Sequence, residues 1–263
     1  MNRPRRFAGA LVLLSLCLLW EAVSRLEIVD PVLLPPLSRV LERALRLLLS
    51  GRLIMQAGAS LARVFMGFLL AAGVALPAGV FLGLNPQFES YVNLTLQVLR
   101  PLSPPAWIPL AILWFGIGNA PAVFIIFIGT VFTLLIGMTS ATRALDKRFI
   151  WAGLTLGATQ RQVLRYVILP ALLPAILTQL RVGLGLAWMC VIAAEMVAVR
   201  LGLGYMMIEG RNLFRVEDVL VGMATVGILG QAMDTILRSL ERRLLRWRTG
   251  TSAAGLFHQG AEP

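Results

Sequence analysis

Long apolar runs alternate with short polar breaks along most of this chain, and the runs are too long for the elements of a soluble core. They cover residues 7–23, 57–84, 92–115, 120–141, 174–199 and 219–240. About 20 mainly apolar helical residues cross the hydrocarbon of a bilayer. The pattern therefore predicts an all-α polytopic membrane protein with six transmembrane helices. The run at 92–115 is unusual because it holds Pro101, Pro104, Pro105 and Pro109. A lone helix would kink or break there, and such backbone is viable only packed in protein or lining a cavity. Gly67, Gly73, Gly79 and Gly83 lie along 57–84 with Pro77 among them. Small residues let helices approach closely in lipid.

Two segments depart from the apolar pattern. In 31–56, Val40, Leu41, Ala44, Leu45, Leu47 and Leu48 alternate at helical spacing with Arg39, Glu42, Arg43 and Arg46. That spacing predicts an amphipathic helix lying on a surface, with Ser38 as N-cap and Gly51 as its stop. The other is the basic segment 143–170, with Arg143, Lys147, Arg148, Arg161 and Arg165. It is a polar loop between the fourth and fifth runs. The chain thus divides into an N-terminal helix plus amphipathic segment (1–56), a core (57–247) that includes this loop, and a tail (248–263) of flexible composition.

Composition agrees with the pattern: 58% of residues are hydrophobic and 14% charged, against about 25% charged in an average soluble domain. The net charge of +11 sets topology rather than nucleic-acid binding, because the arginines flank apolar runs and form no stripe with interleaved aromatics. Cytoplasmic loops carry the excess of Lys and Arg. Arg3, Arg5 and Arg6, the 143–165 cluster, and Arg238, Arg242, Arg243, Arg246 and Arg248 all fall on one side if the runs cross alternately, which places both termini in the cytoplasm. Residues 25–56 contradict the rule, with five arginines on the other side partly offset by Glu27, Asp30 and Glu42. The N-terminus resembles a signal peptide, but no small-x-small site follows the apolar run, so it reads as a retained first helix. Cys17 and Cys190 are isolated in apolar runs and read as small packing residues.

Gly157, Val167 and Leu169-Pro170 match the cytoplasmic signature of the permease subunits of binding-protein-dependent ABC importers. The segments LRPLSPPAWIPLAILWFGIG (99–118), TLGATQRQVLRYVILPALLPAI (155–176), LRVGLGLAWMCVIAAEM (180–196) and GLGYMM (202–207) resemble the branch serving nitrate, sulfonates, taurine and bicarbonate. The resemblance implies a type I importer permease fold, paired as a homodimer with the pore at the subunit interface. It also implies cytoplasmic ATP-binding subunits, a periplasmic solute-binding protein and an inner-membrane location. The loop would form a coupling helix over about 149–164, bent at Gly157 and seated in a groove of the ATPase. Its docking residues would be Trp151, Ala152, Gly153, Gly157, Ala158, Leu169 and Pro170. Trp151, Ala152 and Gly153 stand where the signature has Glu-Ala-Ala, so the usual carboxylate is replaced by an apolar anchor. The imported solute would be a small anion such as a sulfonate, taurine or nitrate.

Chemistry on the chain itself is sparse. A phosphate-cradling loop needs Gly-Lys-Ser or Gly-Lys-Thr, and the single lysine, Lys147, lies between Asp146 and Arg148. The chain is not expected to be an enzyme or to hold a cofactor or metal; His258 sits alone in the tail. Ionisable residues within membrane runs usually face a bundle or aqueous path. Glu195, Arg181 and Met196 are the candidate path or gate residues. The alternatives are an ion pair of Glu195 with Arg200 or Arg211, or its exposure at the interface, and snorkelling of Arg181 and Arg63 to an interface. Asp234 is expected to pair with an arginine. A self-contained secondary transporter or channel is the rival function, but it would need coupling acids near the midplane and usually internal repeats.

Overall fold

The computed structural model describes residues 3–26, 30, 33–99 and 102–245. The tail 248–263 with His258, and Arg100, Pro101, Glu27, Pro31, Arg246 and Arg248, lie outside the described residues. In chain order the helices are α1 (Arg3–Arg25), α2 (Leu37–Leu49), α3 (Arg52–Leu84), α4 (Pro86–Leu99), α5 (Ile108–Phe115) and α6 (Asn119–Arg143). They continue as α7 (Lys147–Thr155), α8 (Gln160–Val163), α9 (Leu169–Ala198), α10 (Leu203–Asn212) and α11 (Val216–Leu244).

Small residues recur every fourth position along α3: Gly67, Ala71, Ala75, Gly79 and Gly83. They form one stripe against α6. A Cβ at Gly67 would lie 2.6 Å from that of Ile126, one at Gly79 2.6 Å from that of Met138, and one at Gly83 2.5 Å from that of Thr142. These matches rise together along both helices, so α3 and α6 run parallel. Leu84 and Asn119 therefore lie at opposite ends, and the chain between them must travel back. α9 runs antiparallel to α6: Gly183 meets Leu134, and the Gly118 N–H donates to the Ala198 carbonyl at 2.9 Å. α11 is antiparallel to α9, with the Trp188 indole N–H on Met233 Sδ at 3.3 Å and Arg181 on Glu241. The core lies where α3, α6 and α9 meet, around Val64, Ile125, Ile126, Leu134 and Val191. Outward-facing Leu69, Leu70 and Val74 leave α3 apolar on its far side as well, as expected of a helix in lipid.

Six single-helix crossings are not what the described residues contain. Four helices are long and apolar enough to cross a membrane: Arg52–Leu84, Asn119–Arg143, Gln160–Ala198 and Val216–Leu244. The expected crossing at 92–115 is broken into α4, a 3-10 turn at Pro104–Trp107 and α5. Pro104, Pro105 and Pro109 supply no backbone donor to continue one ladder. α1 is one continuous helix across the first apolar run. The fifth begins earlier than expected, at Leu169, and runs through Pro174.

α2 packs against the start of α11 and against α3. Ser38 is not its N-cap; the helix starts after Pro36. Glu21 of α1 accepts the Ser38 N–H at 3.1 Å and its hydroxyl at 2.9 Å, so a neighbouring helix supplies the cap. Gly51, at φ +72°, joins α2 to α3. Arg43 grips Asp218 through Nε and a terminal nitrogen at 2.6 and 2.9 Å. That hydrogen bond raises the arginine above its ordinary pKa. Arg52 meets Glu209 at 2.5 Å, Arg25 meets Glu21 and Arg46 meets Glu42. Most of the arginines that contradicted the charge rule are therefore matched by carboxylates in the fold.

Candidate functional site

The 143–170 loop is built from strong local signals. Asp146 accepts the Arg148 N–H at 2.9 Å and caps α7. α7 stops at Gly157, whose φ of +83° is left-handed. The Gly157 N–H reaches the Leu154 carbonyl at 3.0 Å and the Ala158 N–H reaches that of Gly153 at 3.1 Å, which satisfies carbonyls that the helix end would strand. Thr159 then opens α8 with a reciprocal capping box to Gln162. The expected single bent helix over 149–164 is thus two helices at a sharp turn. A wide π-turn over Leu164–Ile168 leads into α9, where Pro170 cannot donate to the Tyr166 carbonyl.

Phe149, Trp151 and Leu156 are exposed, at 60%, 62% and 88%. Ala152 is exposed too, while Gly153 and Ala158 are half-buried. A Cβ at Gly153 would come within 3.2 Å of Val163, so α7 and α8 pack tightly there. Behind this outer face, Val163 and Ile168 are buried against Val80 of α3, Met138 of α6 and Leu172 of α9. Leu169 and Pro170 are exposed where α9 begins. A Cβ on Gly157 would meet nothing within 4 Å, so substitution there costs backbone strain of roughly 1–2 kcal/mol, not a clash. In a Gly157→Asn, Ala and Val series, amide exchange at positions 157 and 158 is expected to speed up in that order, by about tenfold for valine.

The second polar concentration lies at the opposite end. Glu195 is fully buried and pairs with Arg63 through Nη1 at 2.5 Å. Its carboxylate also accepts the Ser60 hydroxyl at 2.8 Å and the Gly204 N–H at 3.0 Å. Arg63 Nε donates to Asn119 at 2.8 Å. Gln56 accepts the Gly202 N–H at 2.5 Å, and the Ser60 hydroxyl oxygen accepts the Leu203 N–H at 2.9 Å. The N–H groups of Gly202, Leu203 and Gly204, where α10 begins, are thereby taken by side chains of α3 and α9. A Cβ at Gly202 would overlap the Glu195 carboxylate, and one at Gly204 would lie 2.7 Å from the Ile192 carbonyl oxygen.

Glu195 therefore pairs with neither Arg200 nor Arg211, and it is not at an exposed interface. Arg63 does not snorkel; it is held inside. Arg181 bridges Asp234 at 3.1 Å and Glu241 at 2.5 Å on α11, and Arg238 also reaches Asp234. Met196 is half-buried beside Glu195 in sequence. Gln56, Ser60 and Asn119 are site residues that the sequence does not single out, and Arg63 stands out there only as a charge near an interface. Gln56, Ser60 and Arg63 fall at i, i+4 and i+7, a polar stripe on one helix face that could have been matched to the lone carboxylate. Among the described residues no group of three or more His, Cys, Asp or Glu could hold a metal.

The family described as "Binding-protein-dependent transport system inner membrane component" matches residues 75–246. A putative ABC transporter permease of Methanocaldococcus jannaschii is 40% identical over 235 residues, covering 88% of each chain. The taurine transport system permease of Escherichia coli is 33% identical, over 87% of this chain and 85% of its own. A putative aliphatic sulfonates transport permease of Bacillus subtilis is 32% identical, over 91% and 87%. In structure, a chain of the MetNI methionine ABC transporter, solved in inward-facing conformations, superposes with a TM-score of 0.66 at 19% identity, over 74% of this chain and 97% of that one. The fold is that of a type I ABC importer permease.

Proposed function

The chain belongs to the family of binding-protein-dependent transport system inner membrane components and is a permease subunit of an ABC importer; we propose that it conducts a small anion, such as a sulfonate, taurine or nitrate. The family brings ATP-binding and solute-binding partners and a permease dimer. The finer assignments are ours. The ATPase docks on the exposed apolar face of α7, with Trp151 as its anchor. A second copy of this chain completes the pore, and both termini are cytoplasmic.

One observation carries the docking assignment: an apolar outer face backed by a buried contact to the membrane helices. Phe149, Trp151 and Leu156 are exposed on a loop flanked by Lys147, Arg148, Arg161 and Arg165. Interfaces draw most of their energy from a few aromatic or arginine anchors. Val163 and Ile168 join the loop to α3, α6 and α9. Closure of two ATPases would move α7 and α8, and close packing would pass the displacement to the spans. Ion pairing of Arg25, Arg43, Arg46 and Arg52 supports the orientation, since carboxylates offset much of the basic charge of residues 25–56 at the end opposite Arg143. Gly157, Ala158 and Gly153 shape the loop, whereas Trp151 and Ala152 would touch the partner. Glu195 and Arg63 hold the gate region at the outer end by fixing α10, with Met196 alongside. Arg181 ties α9 to α11 near the inner end. The names of the taurine and sulfonate relatives support an anionic solute.

The test uses the importer reconstituted in proteoliposomes. Trp151→Glu is expected to leave insertion intact, to lose the ATPase on co-purification and to lower uptake at least tenfold, because an interface hot spot is worth about 2 kcal/mol or more. Full retention of the ATPase would sink the docking assignment. For the solute, uptake of labelled ethanesulfonate should be competed by other aliphatic sulfonates, taurine or nitrate; uptake only of solutes that carry no anionic group would refute the assignment.

A further inference from the structure

Two cavities meet behind the coupling loop. The first is a cleft of about 580 Å³ between the α3–α4 turn and α7, walled by Arg143, Lys147 and Gln160 and by apolar side chains that include Ile150 and Trp151, the latter at its edge with the docking face. The second is a groove of about 440 Å³ along α3 and α9, walled by apolar side chains that include Val80, Phe81, Leu169 and Ile176. Leu84 and Leu164 belong to both. The combined space has a mouth that carries Arg143 and Lys147 and an apolar groove along the membrane helices.

Charge at the mouth is unbalanced. Glu89 of α4 is engaged with Arg143 at 2.7 Å, and Asp146 is spent on capping α7. Lys147 has no ion pair among the described residues, and no carboxylate lines the cleft. A free inorganic anion could satisfy Lys147 but would leave the groove unfilled. A neutral hydrocarbon could fill the groove but would leave Lys147 unmatched. One molecule with both parts is an anionic phospholipid. Basic pockets between membrane helices on the cytoplasmic side suit acidic headgroups, and each cavity falls within the size range of ligand sites.

We propose that the permease holds one anionic phospholipid of the cytoplasmic leaflet, with an acyl chain in the α3–α9 groove and its phosphate beside Lys147. The leaflet rests on the orientation proposed above. The lipid would wedge between α3 and the loop, and so would stiffen the contact that carries motion from α7 to the spans.

The full chain, alone and with its ATPase, is extracted in mild detergent and its retained lipids are counted by native mass spectrometry. The expected result is one phosphatidylglycerol or cardiolipin per permease chain, retained against excess phosphatidylcholine. Lys147→Glu should lower retention at least fivefold, Lys147→Arg should preserve it, and Leu84→Trp should block it at the junction of the two cavities. Equal exchange of wild-type protein into phosphatidylcholine would overturn the proposal without any variant. So would unchanged retention in Lys147→Glu. Efficient cross-linking of Phe81→Cys between two permease copies would overturn it as well, since the groove would then be covered by protein. Retention is read without nucleotide, binding protein or solute, so its failure is separable from failure of the docking or anion assignments.

Discussion

Glu195→Ala is expected to destabilise the permease by about 3–5 kcal/mol, because it leaves the Arg63 charge buried without a partner. Both side chains are almost fully shielded, at 6% and 0% exposure. The same change strands the Ser60 hydroxyl and the Gly204 N–H, which lose their acceptor. Glu195→Gln should be milder than alanine, since an amide oxygen still accepts from Gly204 while the charge match is lost. Arg63→Met combined with Glu195→Leu should recover part of the loss, because apolar replacement of a buried pair is often neutral. Thermal unfolding in detergent of the wild type, Arg63→Met, Glu195→Leu and their double variant gives the coupling energy. Singles that unfold at the wild-type temperature would show that the pair carries no such energy. Uptake by the apolar double variant then separates two roles. Recovery of stability and transport together would reduce the pair to scaffolding, while recovery of stability alone would assign it to the outer gate.

What could be read in advance from the chain divides along sequence separation. The apolar runs and the basic loop depend on neighbours a few positions apart, and these were legible; the bend at Gly157 came with the family resemblance, and its left-handed φ only with the fold. So was the break among Pro104, Pro105 and Pro109, which turned one expected crossing into two short elements. The partner of Glu195 was not legible, because Arg63 is 132 residues away and nothing local marks which of many arginines comes inside. The same holds for the cap of α2. Ser38 has the right chemistry for an N-cap, yet Glu21 from another helix provides the acceptor. The surplus of arginine in 25–56 looked like a failure of the charge rule until Arg43 and Arg52 were seen against Asp218 and Glu209. Pairing across 157–175 residues is invisible to a count of loop charge.

The same substitution at two glycines of α3 is expected to have opposite signs. Gly73 faces open space, with nothing within 4 Å of the place an added methyl group would take. Gly73→Ala should therefore stabilise by up to about 1 kcal/mol through helix propensity alone. At Gly79 the added carbon would lie 2.6 Å from Met138 Cβ and 3.0 Å from the Leu135 carbonyl oxygen. Backbone oxygen cannot rotate away, so α3 and α6 must separate. Overpacking costs about 1–3 kcal/mol, which exceeds the propensity gain for alanine over most of that range. Gly79→Leu should go further and abolish accumulation of folded permease in the membrane. Fluorescence-detected size exclusion and thermal unfolding would measure all three. Equal behaviour of Gly73→Ala and Gly79→Ala would contradict a close α3–α6 crossing. The contrast matters because lipid supplies little hydrophobic drive for helix association. Contact between parallel helices must then come from close approach, and that approach is what Gly67, Gly79 and Gly83 permit along the face that also carries Val80 toward the coupling loop.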